Sequence, residues 1–298
     1  MIAQSPRGLL EPVAPVEGRS LWQDARRRLF RNRAAVASIV VLTLIILAAV
    51  LAPWLSPHPF DEVYWDQIGM PPDYANAFWF GTDNNGRDLF VRCLYGARVS
   101  LAVGIAATLV SLAIGVLYGA TSGFLGGKVD EVMMRFVDIM YSLPFMFFVI
   151  ILMVVFGRNI ILLFVALGAV QWLTMARIVR GQTLSVKRKE FIEAAHAAGV
   201  SNRSIVLRHI IPNLLGPVVV YVTLTVPEVI MTESFLSFLG LGVQEPHTSW
   251  GVLISEGAGQ MESAPWMLIY PALFLAVTLF CFNFIGDGLR DALDPKDR

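Results

Sequence analysis

The stretch EFIEAAHAAGVSNRSIVLRHIIPN, residues 190–213, is a polar interruption in the last third of a chain that is otherwise dominated by long apolar runs. Apolar segments flank it at 171–176 and 214–221, and both belong to runs long enough to cross a membrane. The pattern predicts a water-soluble helix-turn-helix held between two membrane spans. Such an element has the form of a docking site for a partner in the aqueous phase.

The composition of the whole chain indicates a membrane protein. Of its 298 residues, 56% are hydrophobic and only 15% are charged, whereas soluble domains carry roughly 25% charged residues. Six uncharged runs each contain a segment near the ~20 residues that a membrane helix needs. They are 34–60, 99–127, 139–157, 159–176, 210–227 and 263–286. The alternative, buried helices of a soluble protein, requires too many such runs for one core. We therefore expect an all-α integral membrane protein with six transmembrane helices.

The distribution of lysine and arginine predicts the orientation. Nineteen of the 23 lie in segments 1–33, 120–138, 177–209 and 287–298, which the positive-inside rule places in the cytoplasm. The predicted organisation is an N-terminal segment 1–33 with a short amphipathic helix at 20–30, a transmembrane domain 34–286 and a cytoplasmic tail 287–298. Outer loops would be 56–98 and 233–265, and 177–209 would be a cytoplasmic coupling loop. The net charge of zero gives no reason to expect nucleic acid.

The polar stretch itself can be divided into two helices. Residues 191–198 are rich in alanine and predict a helix, and Gly199 suits a left-handed C-cap. Ser201 can cap a second helix at 202–211, and Pro212 would mark the junction with the next span. Small side chains on the first helix would leave three residues protruding: Phe191, Ile192 and Glu193. Either another protein's cleft closes over this helix, or it is an amphipathic connector resting on the membrane.

Residues within the spans suggest packing contacts and a possible pathway. Gly115, Gly119 and Gly123 recur at intervals of four, which predicts a face where another helix approaches closely. Glu228 and Glu233 lie towards the outer end of the fifth predicted span. A carboxylate at this depth either borders an aqueous pathway or extends to the outer surface, and both alternatives stay open.

No pattern of catalytic residues is found. The Gly127-Lys128 pair is followed by Val129, so it is not a phosphate-binding loop, and the four histidines are scattered. The sequence has no HExxH, GxSxG or CxxC motif, and we expect neither a catalytic nor a metal site. The segment GTDNNGRD, 81–88, lacks the ligand pattern of a calcium loop and predicts a turn stabilised by Asp and Asn side chains. A channel, a carrier, a receptor or one part of a multi-subunit transporter remains.

A family resemblance distinguishes these classes. Glu193-Ala194-Ala195, then Gly199, then Pro212 thirteen positions later, resembles the EAA loop of bacterial ABC importer permeases. His209 and Ile211 depart from the commonest pattern, and the form HIIPN is similar to the dipeptide/oligopeptide branch. Further resemblances to that branch lie at GTDNNGRDLF (81–90), FLGGKVDEVMMRFVDI (124–139), SFLSFLGLG (234–242), SWG (249–251) and GDGLRDALDP (286–295).

The resemblance implies a non-catalytic subunit of an inner-membrane importer. It implies a homologous B-type permease partner, two ATPase subunits that use ATP and Mg²⁺, and a periplasmic protein that delivers peptide; this chain itself would bind no cofactor. The ATPase-coupling residues it implies are Phe191, Glu193, Ala194, Ala195, Gly199 and Pro212. Glu193 would meet polar or cationic groups of an ATPase, Ala195 would allow close approach and Gly199 would permit the turn. Another cargo (dipeptide, nickel or glutathione) stays an alternative, as does a channel or receptor outside this family.

Overall fold

Across residues 21–157 and 160–293, which the computed structural model describes, the chain forms helices and turns without a β-strand. The helices are α1 (Leu21–Arg31), α2 (Arg33–Leu55), α3 (Leu89–Leu125), α4 (Gly127–Ser142), α5 (Phe145–Phe156), α6 (Ile160–Val186), α7 (Glu190–Ala197), α8 (Asn202–Ile205), α9 (Ile211–Phe238), α10 (Trp250–Ala258) and α11 (Trp266–Leu293). The predicted all-α class is confirmed.

The candidate membrane spans number five, or six if a bent pair is counted as one span. In the described ranges, α2, α3, α6, the continuous run Asn202–Phe238 and α11 are each long and apolar enough to cross a membrane. The predicted span at 139–157 is divided between α4 and α5, which are bent by 75°. Pro144 explains the break, because its ring favours an extended Leu143 (ψ 129°) and removes a backbone donor.

The helix α3 begins ten residues before the uncharged run 99–127 that marked it in the sequence. Two arginines lie in this extra part, and each has a polar partner in the protein. Arg92 is fully buried with its Nη1 atom 2.9 Å from Asp83 Oδ2, and Arg98 donates from Nη2 to the Val50 carbonyl over 2.9 Å. An ion pair and a hydrogen bond to a carbonyl group therefore accompany the helix where the uncharged-run criterion ends it.

The two longest spans in the first half of the chain, α3 and α6, pack closely through the predicted glycine face. A Cβ on Gly115 would lie 2.5 Å from Met175 Cβ, and one on Gly123 would lie 2.9 Å from the Arg180 carbonyl. At Gly119 it would overlap the Ala176 carbonyl. The structure thus places all three glycines against α6, where the absent side chains let the two backbones approach.

The chain ends are described in part. The amphipathic helix expected at 20–30 is α1, which packs on the last turns of α11: Leu29 lies beside Gly288. The first residues of the tail 287–298 continue α11 as far as Leu293. Residues 1–20, Arg158 and Asn159, and 294–298 lie outside the described residues, so the predictions made for them stay predictions.

Candidate functional site

The polar stretch begins with α7, an eight-residue helix that ends as its sequence predicts. Gly199 has φ +74°, the left-handed conformation that favours glycine. The Val200 N–H donates to the Ala195 carbonyl over 3.1 Å, and the Gly199 N–H donates to the His196 carbonyl over 3.0 Å. This pair of hydrogen bonds is a Schellman motif, which satisfies the last carbonyls and reverses the chain direction.

One side of α7 is seated on the protein's own helices. Ile192 is 1% exposed and Ala195 is 8% exposed, in a cluster with Phe124 of α3, Val186 of α6 and Ile205 of α8. The prediction that Ile192 protrudes is therefore wrong. A helix of two turns cannot be held by its backbone alone, so its i, i+3 apolar pair is used to anchor it. Ala195, which was expected to allow close approach of a partner, lies on this inner side too and packs against the protein's own helices instead.

The opposite side of α7 is open and nearly flat. Phe191 is 38% exposed, and together with the exposed Glu193, Ala194, Ala197 and Ala198 it forms what we call the coupling face; Glu190 and His196 of α7 are exposed as well. Small side chains leave room for another backbone to come close, while Phe191 and Glu193 offer one apolar and one anionic contact. A narrow surface with few protruding groups suits the cleft of a larger partner.

The predicted second helix is not a separate element. Residues Asn202–Phe238 form one continuous helical run, with a π turn at Val206–Ile210. The Ile211 N–H donates to the Val206 carbonyl, and Pro212 follows as an exposed residue in the first turn of α9. Pro212 thus lies where α9 begins, as predicted, but the chain stays helical through this junction because the first turn of a helix accommodates a residue without a backbone donor.

Ion pairs hold together the helices beneath α7. Asp130 of α4 accepts from Arg180 of α6 through both oxygens at 2.6 Å, and it also accepts from Ser122 of α3 at 2.5 Å. The Lys187 ammonium, just after α6, donates to the Phe124 carbonyl of α3. These contacts join α3, α4 and α6 into one support for α7.

The two candidate pathway carboxylates have different surroundings. Glu228 is exposed on α9. Glu233 is 0% exposed, and its Oε1 atom accepts from the Ser237 hydroxyl over 2.7 Å. Neither alternative weighed for Glu233 fits this position, because it reaches neither the outer surface nor an open channel within this chain. Glu233 can be buried here because hydroxyl groups on α9 and α3 provide the hydrogen bonds that solvent would otherwise supply.

Comparison with known proteins establishes the family. Residues 94–298 match the binding-protein-dependent transport system inner membrane component, and residues 20–72 match the N-terminal TM domain of oligopeptide transport permease C. The chain belongs to this permease family. It is thus a multi-pass, non-catalytic inner-membrane component of an ABC transporter, and a channel or receptor outside the family is no longer an alternative.

Relatives of the permease span nearly its whole length. It is 65% identical to the oligopeptide transport system permease protein OppC of Escherichia coli K12, over 95% of this chain and 94% of that one. It is 45% identical to the dipeptide transport system permease protein DppC of Bacillus subtilis, over 94% and 87%. Its fold is similar to the inward-facing MetNI methionine ABC transporter, with TM-score 0.56 and 19% identity over 69% of this chain and 96% of that chain.

The permease also contains a turn that the sequence predicted and an ionic cluster that it did not. In segment 81–88, Asp83 Oδ1 accepts from the backbone N–H of Asn85 at 2.8 Å and of Arg87 at 2.9 Å, which confirms the turn. The Asp83 Oδ2 atom lies 2.8 Å from Arg87 Nε and 2.9 Å from Arg92 Nη1. The sequence pattern that could have indicated this cluster is Asp83 followed by arginines four and nine residues later.

This cluster reaches from the loop before α3 to α10. Arg87 is 3.0 Å from Glu245, and Arg92 is 3.6 Å from Glu256. Burial, followed by the nearby Asp83 carboxylate, raises the pKa of Glu256 to about 7. The loop before α3 is therefore fastened to the segment between α9 and α11. Among the described residues, no group of His, Cys, Asp and Glu side chains is arranged to hold a metal ion.

Proposed function

We propose that this permease is one of two membrane subunits of an ATP-driven importer of oligopeptides, paired with a homologous B-type permease. The observation that carries the proposal is the exposed coupling face of α7, seated on the bundle through Ile192 and Ala195. The identity of 65% to an oligopeptide permease supports the cargo. The 45% identity to a dipeptide permease makes dipeptides the alternative cargo.

Two ATPase subunits are the partners on the cytoplasmic side. α7 inserts into a cleft on one of them, with Glu193 facing polar or cationic groups and the alanines allowing close approach. ATP and Mg²⁺ are bound by those subunits. The excess of lysine and arginine in 1–33, 177–209 and 287–298 supports a cytoplasmic location for α7 and both chain termini. A periplasmic binding protein delivers peptide to the outer loops 56–98 and 233–265.

Movement is transmitted through the helices that hold α7. ATP binding draws the ATPases together and shifts α7, and its inner side passes that shift to α6 and to the run Asn202–Phe238. The pathway then changes from inward-facing to outward-facing, and Glu228, which is exposed on α9, borders it. The free energy comes from differential binding of the ATPases to the two arrangements.

The proposal is tested at Gly199, because a Cβ there would meet no atom within 4 Å. A substitution at Gly199 therefore affects only the left-handed backbone conformation, which costs an L-residue roughly 1–2 kcal/mol. Gly199→Val should leave membrane insertion intact and abolish ATPase assembly and peptide uptake. Gly199→Asn is the matched control, since asparagine tolerates this conformation, and it should retain both activities. Co-purification of the ATPases and uptake of labelled peptide measure the result.

Normal peptide uptake in the inserted Gly199→Val variant would contradict the coupling role of this turn. Uptake of dipeptides in preference to longer peptides by the complete importer would reassign the cargo. Because the first measurement concerns assembly and the second concerns cargo, the two parts of the proposal are judged separately.

A further inference from the structure

The buried carboxylate of Glu233 lies where α9, α3 and α10 meet. Its Oε1 atom accepts from the Ser237 hydroxyl at 2.7 Å, and its Oε2 atom accepts from the Ser100 hydroxyl at 3.4 Å. No lysine, arginine or histidine in ranges 21–157 and 160–293 forms an ion pair with it. A buried acid held only by hydroxyl groups is costly, so its position calls for a reason beyond packing.

The same hydroxyl groups hold the beginning of α10. The Trp250 N–H donates to the Ser100 hydroxyl oxygen over 3.1 Å, which leaves the Ser100 O–H free to donate to Glu233. The Ser249 hydroxyl accepts from the Val252 N–H at 3.3 Å and caps α10. It lies 3.4 Å from the Ser237 hydroxyl, which is bonded to Glu233. Glu233 is thus the common acceptor of α3 and α9 at the first turn of α10.

Close backbone contacts surround these hydrogen bonds. A Cβ on Gly251 would lie 2.5 Å from Ser234 Cα, and a Cβ on Gly96 would lie 3.2 Å from the Ser249 carbonyl carbon. Trp250 is 0% exposed between them. One tight contact is therefore formed by the motifs SFLSFLGLG (234–242) and SWG (249–251). Because of it, we expect α10 to shift only together with α9 and α3.

Glu233 also lies on the helix that begins beside α7. The run Asn202–Phe238 is continuous over 37 residues, and Glu233 is roughly 45 Å along it at 1.5 Å per residue. Its first residues share a hydrophobic cluster with Ile192 of α7. This continuous helix therefore begins beside α7 and has the Glu233 contact near its other end.

We propose that Glu233 is a positioning residue that clamps α10 to α9 and α3, so that a shift of α9 imposed at α7 moves α10. α10 is fastened at its other end by the contact between Arg92 and Glu256, so the outer loop moves with it. The inference rests on the proposed function for the direction of coupling. It adds the route by which the ATPase side and the outer loops influence each other.

The test uses the complete importer in lipid nanodiscs with four variants of this chain. Glu233→Ala removes the clamp, and Glu233→Gln keeps a hydrogen-bonding group of the same size. Ser100→Ala cuts the link to α3 while leaving the carboxyl group in place. Leu236→Ala is the matched control, since Leu236 is 0% exposed on the same helix and packs in a separate apolar cluster. Two quantities are measured: amide hydrogen exchange at 250–253, and ATPase stimulation by peptide-loaded binding protein.

In Glu233→Ala and Ser100→Ala we expect exchange at 250–253 to rise about tenfold. Stimulation of the ATPase should fall by about fivefold or more while basal ATPase activity persists. Glu233→Gln should stay near the wild type in both measurements, and Leu236→Ala should keep its stimulation. A merely structural role for Glu233 would lower assembly without separating basal from stimulated activity.

Wild-type exchange and stimulation in both Glu233→Ala and Ser100→Ala would overturn the proposal. An equal loss of stimulation in Leu236→Ala would overturn it as well, because general destabilisation would then account for the effect. If the wild-type complex is not stimulated by peptide-loaded binding protein, the proposed function fails instead. The exchange measurement still judges the clamp in that case, because it requires no cargo.

Discussion

Single glycine residues, which have no side chain, determine how closely the spans approach one another. Gly119 lies where a Cβ would overlap the Ala176 carbonyl and come within 3.0 Å of the Arg180 amide nitrogen. Neither backbone atom can rotate away as a flexible side chain would. The sequence indicated this contact through the spacing of small residues, but it could not show which helix lies opposite.

A glycine pair tests the contact at the residue scale. Gly119→Ala should lower the stability of the detergent-solubilised complex by about 1–3 kcal/mol, because the added methyl group forces α3 and α6 apart. Gly216→Ala on α9 adds the same methyl group where no atom lies within 4 Å. It should be neutral or raise stability by up to about 1 kcal/mol. Thermal unfolding midpoints measure both, and equal destabilisation in the two variants would argue against the predicted contact.

Individual charged residues were the hardest to place from the sequence. Arg92 and Glu233 are both 0% exposed, yet a charge in a membrane protein is ordinarily expected at a surface or along a pathway. Glu233 pairs with Ser100, 133 positions away, and Arg92 contacts Glu256, which lies even further along the chain, so this pairing depends on the completed fold. By contrast, Gly199 was predictable, because the left-handed C-cap is a local property of a helix end.

At the scale of elements, α10 is held at both of its ends by polar contacts. The Glu256 side chain near its C-terminal end is 26% exposed and faces Arg92, with Asp83, Arg87 and Glu245 nearby. Burial and the carboxylates of Asp83 and Glu245 raise its pKa to about 7, while Arg87 lowers it. The native state therefore binds a proton more tightly than the unfolded chain does.

The pH dependence of α10 follows from that raised pKa. The stabilising contribution is fully present below the ordinary glutamate pKa of about 4.3 and is lost as pH rises through about 7. Hydrogen exchange of 250–258, corrected for intrinsic rates, should therefore show less protection at pH 8 than at pH 6. Glu256→Gln cannot ionise and should remove this dependence. The same pH effect in Glu256→Gln would assign it to another group.

The sequence predicted the positions of the membrane spans better than it predicted where each helix bends or continues. Apolar runs identified the spans, since lipid requires long uncharged helices. They could not show that α4 and α5 are bent by 75° around Pro144, because proline is compatible with a kink as well as a break. The polar stretch predicted a separate helix at 202–211, whereas the π turn at Val206–Ile210 keeps Asn202–Phe238 continuous.

At the scale of the whole molecule, α7 carries the exposed coupling face on an inner-membrane helix bundle. The sequence predicted the location of α7 from its polarity and its residue pattern. Which side of α7 is available depended on tertiary packing, because Ile192 and Ala195 could face either way until α3, α6 and α8 were placed around them. The proposed transport cycle requires the exposed side to be covered by an ATPase.

The most direct test of that requirement is to measure the accessibility of introduced thiols before and after the importer is assembled. Ala197→Cys lies on the coupling face and Ala75→Cys lies in the outer loop, and both positions are exposed in this chain. The native Cys93 and Cys281 are buried, so their background reaction should be slow. Addition of the ATPase subunits should slow maleimide labelling of Ala197→Cys by about tenfold and leave Ala75→Cys unchanged. Unchanged labelling of Ala197→Cys in the assembled importer would contradict the assignment of α7 as the coupling element.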